Sequence, residues 1–125
     1  MTSWSASELA AIGTADELRI LSQRPDGTLR PPVIIWVVVI DDAIFVRAVR
    51  GPEGTWFRHV RDSGRGRISA GGIERDVTFT VETDPAIAER IDAAFRSKYQ
   101  RFGRSFVDAT ITDQARAATI RLTPR

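Results

Sequence analysis

Several residue types on which enzymes and extracellular proteins often depend are scarce in this sequence. It contains no cysteine, a single histidine at His59 and a single lysine at Lys98. The absence of cysteine excludes disulfides, thiolate nucleophiles and zinc–cysteine sites, and it favours an intracellular protein. One histidine cannot form a histidine-rich metal site, so no metal site is predicted.

Long apolar segments are also absent. The most apolar run, residues 33–40, is far too short to cross a bilayer. Residues 1–11 lack the basic start and the apolar stretch of a signal peptide. We therefore expect a soluble, cytoplasmic protein without a membrane partner.

Neither sign of charge is in large excess. The chain carries 18 Lys plus Arg against 16 Asp plus Glu, which gives a net charge of +2. The arginine-rich stretch at residues 58–67 is interrupted by Asp62 and matches no nucleic-acid recognition motif. Because repeats and linkers are absent too, the length predicts a single domain over residues 1–125 with no nucleic-acid partner.

The sequence does contain a series of short β-branched segments. Strands are predicted at residues 17–21, 33–40, 44–49, 67–70, 73–81 and 118–122. Residues 33–40 are apolar on both faces, so this segment is expected to be the central strand. In residues 44–49, the side chains of Phe45, Arg47 and Val49 share one face, which places an arginine among apolar neighbours.

Glycines at positions 71 and 72 give the clearest turn signal in the chain. A Gly-Gly loop favours a primed turn, which fixes the register of a two-residue hairpin. Ala70 is then opposite Ile73, and Arg67 is opposite Asp76. The sequence therefore predicts a hairpin with an ion pair on its polar face.

Helices are predicted from capping signals. Ser5 and Glu8 form a capping box for a first helix. Thr55 is a candidate N-cap for a short basic helix that ends at Gly64 and Gly66, and Asp84 followed by Pro85 begins a third, longer helix.

The third predicted helix, residues 85–99, carries charged residues at informative positions. Asp92 and Arg96 are four residues apart and are expected to form a surface ion pair. Lys98 follows Ile91 by seven residues, so it lies on the apolar stripe of the helix. It either binds an anionic ligand or extends its ammonium group from the edge of the core.

The order of these elements predicts a mainly β protein of the α+β class, with six strands in a small antiparallel barrel and flanking helices. Gly51 and the segment Trp56-Phe57-Arg58-His59-Val60 resemble the Gly…Trp-Tyr-x-Asn-Leu segment of deazaflavin-dependent nitroreductases. Those enzymes are members of the split-barrel FMN-binding superfamily, which includes pyridoxamine phosphate oxidases.

Longer segments look like an uncharacterised family, domain of unknown function 2255. They lie at residues 35–38, 45–51, 91–99 and 117–122 and together extend over nearly the whole chain. The resemblance implies a six-stranded antiparallel split β-barrel of the FMN-binding type, usually dimeric, and it implies no particular reaction. The nitroreductase resemblance implies cofactor-binding roles for Gly51, Trp56 and Phe57, and Arg24 and Arg30 are loosely like the basic loop before the second strand.

Arginines at the end of a predicted strand are candidates for anion binding. Arg47 and Arg50 flank the strand end beside Gly51. Guanidinium forks combined with free backbone N–H groups are a common way to build a phosphate or carboxylate site. A structural ion pair with an acidic side chain is the alternative for either arginine.

Aromatic and titratable side chains complete the candidate set. Trp36 and Trp56 are predicted walls for a planar ligand, with a place in the core or an interface as the alternative. His59 is a candidate general base or proton donor, or else a surface residue. Tyr99, next to Lys98, either donates a hydrogen bond to the same anionic ligand or packs in the core.

These observations lead to one hypothesis and two alternatives. The hypothesis is a homodimeric split-barrel protein that binds FMN or a deazaflavin coenzyme in a groove at the dimer interface. If it is catalytic, the cofactor carries the hydride, and Arg47, Arg50 and Lys98 supply positive charge. The alternatives are a cofactor-free isomerase or cyclase that uses His59 or Tyr99, and a non-catalytic ligand-binding or dimerisation module.

Overall fold

The fold consists of one curled antiparallel sheet and the helices that cover it. The computed structural model describes residues 3–125. Its elements, in chain order, are α1 (Ala6–Thr14), β1 (Leu18–Ser22), β2 (Val33–Ile35), β3 (Val38–Ile40), β4 (Ala43–Arg47), α2 (Thr55–Ser63), β5 (Arg65–Ala70), β6 (Ile73–Val81), α3 (Pro85–Tyr99), α4 (Arg104–Asp108), α5 (Asp113–Arg116) and β7 (Thr119–Pro124). Within these described residues, no helix combines the length and the apolar character needed to span a bilayer.

The strand order explains how the sheet closes. From one edge to the other it is β2-β1-β5-β6-β7-β4-β3, and neighbouring strands are antiparallel. β2 and β3 lie at opposite edges, although only Trp36 and Val37 separate them in the chain. The sheet therefore curls into a split barrel whose gap, here called the seam, lies at these two residues. The predicted mainly β, antiparallel split-barrel class is confirmed, with seven strands where six were expected.

The prediction that residues 33–40 form one central strand is wrong. The segment divides into β2 and β3, which pair with β1 and β4 and form the two edges of the sheet. Val37 and Val38 are nevertheless buried. The apolar run therefore indicates neither a central position nor uniform burial, since Ile34 is 53% exposed.

Apolar clusters lie on both sides of β4. Ile44 and Val46 face the barrel interior, whereas Phe45 packs with Phe95 of α3 on the outer face. This alternation confirms the faces predicted for the segment. It also places Arg47 between the sheet and α3, where the residue is only 4% exposed.

Local signals in the sequence are confirmed at the hairpin and at the helix ends. β5 and β6 pair in the predicted register, and Arg67 Nε lies 2.9 Å from Asp76 Oδ1. The capping box of Ser5 and Glu8 is formed at α1, and the Asp84 side chain caps α3. These contacts join residues that are close in sequence, so the local sequence is enough to predict them.

Candidate functional site

An apolar cleft opens where β2, the end of β4, α2 and α4 meet. Its volume is about 410 Å³, and its lining includes Ile34, Trp36, Val49, Arg50, Trp56 and Phe106. Large apolar side chains are exposed here: Ile34 is 53%, Val49 is 49% and Phe106 is 64% exposed. Exposed apolar side chains grouped around a concave site indicate that a ligand or another protein surface covers them.

The apolar cleft continues into two further clefts. A middle cleft of about 420 Å³ shares Arg50 and Trp56 with the apolar cleft. An outer cleft of about 430 Å³ shares Arg24, Arg30 and His59 with the middle cleft. The three clefts form one continuous groove, which is aromatic at one end and lined by arginine at the other.

Helix α2 supplies side chains to both the core and the groove. Phe57 and Val60 are buried in the barrel core. Trp56 and His59 are three residues apart, which places them on one helix face, and both line the middle cleft. The expected ligand contacts of Trp56 and His59 are thus possible in this arrangement, whereas Phe57 packs inside the barrel.

The loop between β1 and β2 carries the arginines of the middle and outer clefts. Backbone hydrogen bonds run from Arg24 N to Thr28 O (2.7 Å) and from Arg30 N to Ser22 O (2.8 Å). The Arg24 guanidinium donates to the Leu29 carbonyl at 2.9 Å. Within residues 3–125, the buried Nε of Arg30 has no hydrogen-bond partner. The loop therefore holds Arg30 at the groove with one donor unused.

Arg47 lines the apolar cleft, but its donors are bonded to the protein. Its Nη1 pairs with Asp92 Oδ1 and donates to the Thr110 carbonyl at 2.9 Å. Its Nε donates to Thr119 Oγ1 at 2.9 Å, and its Nη2 donates to the Ala88 carbonyl at 3.1 Å. Burial lowers the pKa of Arg47, and Asp92 opposes that shift. Of the two roles expected for Arg47, this geometry favours the structural ion pair.

The partner of Asp92 differs from the one expected. Asp92 does not pair with Arg96 at the surface; it is buried, and its Oδ2 lies 2.8 Å from Arg116 Nη2. Burial opposes ionisation of Asp92, but hydrogen bonds from Arg116 and Arg47 outweigh burial and lower its pKa. The predicted surface pair is wrong because the helix turns the Asp92 side chain toward the sheet, where a buried guanidinium requires a counter-charge.

Lys98 and Tyr99 lie at the seam and do not line the groove. The Tyr99 hydroxyl accepts a hydrogen bond from the Val37 N–H at 3.0 Å and donates to the Asp16 carbonyl at 2.8 Å. Lys98 Nζ donates to the Val37 carbonyl at 2.7 Å. The bonds to Val37 satisfy backbone groups that lie between β2 and β3 and outside both ladders. Burial lowers the pKa of Lys98 to about 8 and raises the pKa of Tyr99 to about 12.

Tyr99 acts on the groove indirectly, through Trp36. The two rings stack with their centroids 4.0 Å apart and an interplanar angle of 4°. Trp36 lines the apolar cleft, so Tyr99 supports one of its walls. The two residues predicted as catalytic are therefore not brought together, because His59 lines the groove and Tyr99 lies behind it.

Gly51 shapes the turn that follows Arg50. Its φ is 76°, and a Cβ at this position would collide with the side chain of Gln114. The Gln114 amide donates to the Arg50 carbonyl. The close approach of α5 thus explains the glycine without any contact to a ligand.

The structure adds side chains that sequence reasoning did not single out. Ile34 and Phe106 line the apolar cleft, and Arg65 lines the outer cleft. Phe106 is the one aromatic residue within residues 103–115, which is the signal that could have identified it. Among residues 3–125, no cluster of three His, Asp or Glu side chains is arranged to hold a metal ion.

Solved structures with a similar fold include proteins that are named as an oxidase, a reductase and an FAD-binding protein. A protein from Listeria innocua, provisionally named a pyridoxamine 5′-phosphate oxidase, has a TM-score of 0.62 and 14% identity over 94% of this chain and 88% of its own. An F420 reductase has a TM-score of 0.55 and 14% identity over 93% and 90%. An FAD-binding protein from Mesorhizobium loti has a TM-score of 0.55 and 16% identity over 98% and 89%. At these identities the likeness shows the fold alone.

Sequence comparison gives a family match over most of the chain. The model of a family of uncharacterized proteins conserved in bacteria, DUF2255, matches residues 8–122. This match confirms the resemblance noted in the sequence, and its range includes each groove residue named above. Among functionally curated proteins, none matches the sequence.

Proposed function

Because the chain belongs to the DUF2255 family and folds as a split barrel, we propose that it binds a flavin or deazaflavin and acts as an oxidoreductase. The supporting observation is the continuity of an aromatic cleft with an arginine-lined groove. FMN, FAD and deazaflavin coenzymes have two corresponding parts, a planar ring at one end and anionic groups at the other. The groove and these cofactors are therefore complementary in both shape and charge.

The apolar cleft is the proposed position of the ring. Trp36 and Trp56 offer indole surfaces there, and Phe106 adds a third aromatic side chain. Each aromatic contact contributes roughly 0.5–1.5 kcal/mol beyond the area that it buries. Trp36 is already held by its stacking on Tyr99, so little of its side-chain freedom would be lost on binding.

Arg50 is the proposed contact between the ring and its anionic substituents. It is exposed and lines both the apolar and the middle clefts. A bound flavin or deazaflavin would supply hydride transfer, which no side chain of this protein can perform. The protein would bind and orient the ring, and the positive charge of Arg50 would favour its anionic form. His59, which lines the middle cleft, is the proposed site of proton exchange.

The names of the structural relatives support the same class of ligand. An F420 reductase and an FAD-binding protein share the fold at TM-scores of 0.55. One is named for a deazaflavin and the other for a flavin, so the comparison favours the class and does not choose between its members.

A second copy of this chain is the proposed cover for the exposed apolar side chains. Ile34, Val49 and Phe106 border the apolar cleft, and burying them between two copies would gain about 25 cal/mol per Å² of apolar surface. Sedimentation velocity should give a dimer for the wild type and a monomer for Phe106→Glu. A monomeric wild type at micromolar concentration would contradict the dimer.

Tryptophan fluorescence tests the ring site. The purified protein is titrated with FMN and, separately, with a deazaflavin coenzyme, and the expected result is saturable quenching by at least one of them. Trp36→Phe and Trp56→Phe should each remove part of the quenching. Trp4→Phe is the matched control, because Trp4 is 7% exposed and donates to the Leu122 carbonyl inside the fold.

Two results of the titration would contradict the proposal. The first is an absence of quenching by both cofactors in the wild type. The second is quenching that Trp36→Phe and Trp56→Phe leave intact while Trp4→Phe reduces it, which would place the ring away from the groove.

A further inference from the structure

The arginines of the groove are arranged in series along its length. Arg50 lines the apolar and middle clefts. Arg24 and Arg30 line the middle and outer clefts, and Arg65 lines the outer cleft. Positive charge is therefore distributed from the ring end to the far end and is not gathered at one point.

Arg30 gives a separate indication that an acceptor from outside the protein completes this groove. Its Nε is buried and lacks a partner within residues 3–125. A buried donor without a partner costs about 1–3 kcal/mol, and such groups are uncommon in native proteins. Because Arg30 lines two clefts of the groove, a rotation of its guanidinium would bring this donor to an acceptor of a ligand that lies there.

The groove has little negative charge of its own. Among residues 3–125, Asp62 is the one carboxylate that lines the middle or outer cleft, and it lies 3.1 Å from Arg61 Nε. Four arginines and one carboxylate line these two clefts, so repulsion among the guanidinium groups creates a positive potential there. An anionic ligand would reduce this repulsion and gain charge-assisted hydrogen bonds.

We propose that the groove binds a linear tail that carries more than one anionic group and is joined to the ring in the apolar cleft. A single phosphate, as in FMN, would contact the arginines at one point of the series and leave Arg65 without an acceptor. The pyrophosphate of FAD and the phosphodiester and carboxylates of a deazaflavin coenzyme both present anions in series. The ring end of this assignment rests on the proposed function, whereas the anion groove rests on the arginines.

Anions that lack a ring test the groove by itself. At low ionic strength, tripolyphosphate should raise the melting temperature of the wild type more than inorganic phosphate does at the same concentration. Arg30→Met and Arg65→Met should each reduce this rise. Arg58→Met is the charge-matched control, because Arg58 is an exposed residue of α2 that lies outside the groove lining. An equal response from the wild type, Arg30→Met and Arg65→Met would overturn the proposal.

Ring-bearing ligands then separate this inference from the proposed function and identify the tail. Dissociation constants are measured by tryptophan quenching for riboflavin, FMN, FAD and a deazaflavin coenzyme. We expect each added anionic group to tighten binding by about tenfold. If FAD binds more tightly than the deazaflavin coenzyme, the tail in the groove is assigned as a pyrophosphate. If the deazaflavin coenzyme binds more tightly, the tail is assigned as a phosphodiester with carboxylates.

The contrary outcomes fall into two distinguishable classes. Equal dissociation constants for all four ligands would contradict the proposal that the groove binds an anionic tail, and they would leave the proposed ring site supported. A response to tripolyphosphate without quenching by any of the four ring-bearing ligands would contradict the ring site and leave the anion groove supported.

Discussion

Arg47 and Arg30 show two different uses of an arginine in one small fold. Arg47 is 4% exposed, and each of its guanidinium nitrogens donates to the protein. Arg30 lines two clefts, and its buried Nε has no partner in the described part of the chain. The first guanidinium stabilises the packing of α3 on the sheet, and the second is available to a ligand.

The difference between them comes from their surroundings and not from their neighbours in sequence. Arg47 ends a strand whose face is covered by α3, so the helix must supply a counter-charge, and Asp92 does so. Arg30 lies in a loop that uses backbone groups for its own hydrogen bonds and leaves the side chain at the groove. The number of acceptors near a guanidinium therefore decides whether it is structural or binding.

The largest effect is expected from breaking the buried ion pair of Arg47. Asp92→Asn removes the charge that compensates this guanidinium, and the loss of one partner of a buried pair costs about 3–5 kcal/mol of unfolding free energy. Urea denaturation at pH 7 measures the change. Asp113→Asn is the matched control, because it removes only the fully exposed partner of Arg116 and should leave stability nearly unchanged.

The same variant has an expected dependence on pH. The pKa of Asp92 is lowered in the folded protein, so its contribution is present above its unfolded pKa and is lost as the pH falls through its folded pKa. The difference in unfolding free energy between the wild type and Asp92→Asn should therefore become smaller at acidic pH. An Asp92→Asn variant as stable as the wild type would contradict the structural role given to Arg47.

A smaller loss of stability is expected at Tyr99, a neutral side chain whose hydroxyl is hydrogen-bonded within the fold. Tyr99→Phe leaves the buried Val37 N–H without its acceptor, which should cost about 1–3 kcal/mol. Hydrogen exchange at the Val37 amide should accelerate, while exchange in β6 serves as the control and should follow only the global loss of stability. Unchanged protection at Val37 would show that the seam does not depend on Tyr99.

Lys98 is intermediate between the two arginines, since it is partly buried and bonds only to the Val37 carbonyl. Its pKa is lowered from 10.5 to about 8 in the folded protein, so the unfolded chain binds the proton more strongly between these values. The wild type should therefore gain stability relative to Lys98→Met as the pH rises from about 8 towards 10.5. Midpoints of urea denaturation, measured for both proteins across this pH range, test the gain in stability. A difference in midpoint that does not change with pH would contradict it.

The smallest loss of stability is expected at Arg30. Arg30→Met removes no hydrogen bond from the Nε and relieves the burial of an unpartnered donor, so the unfolding free energy should not fall and should rise by up to about 1–3 kcal/mol. The variant should nevertheless show a smaller thermal response to tripolyphosphate than the wild type. If Arg30→Met destabilised the protein as much as Asp92→Asn does, the contrast between the two arginines would be removed.

Features that depend on near neighbours could be predicted from the sequence. The register of the hairpin at residues 71–72, the capping box of Ser5 and the alternation of β4 all follow from residues a few positions apart. The division of residues 33–40 could not be predicted in this way. At the point of division, the Val37 N–H bonds to the Tyr99 hydroxyl, which lies 62 positions away in sequence.

The candidate site was predictable residue by residue but not as a whole. Trp36, Arg50 and Trp56 could be chosen for their chemistry, and they line the same cleft. The partner of Arg47 lies 45 positions away in sequence, so its structural role could not be derived from local spacing. Phe106 enters the cleft from α4, and its exposure is a property of the folded surface that no periodicity records.

The position of β7 has a consequence for how the chain is assembled. It follows every other strand in the sequence, yet it lies between β6 and β4 inside the sheet. Without residues 119–124, β2-β1-β5-β6 and β4-β3 share no strand pairing, so β7 is the strand that joins the two ladders into one sheet. Trp4 donates to the Leu122 carbonyl at 2.9 Å, so the insertion of β7 also secures Trp4, which lies just before α1.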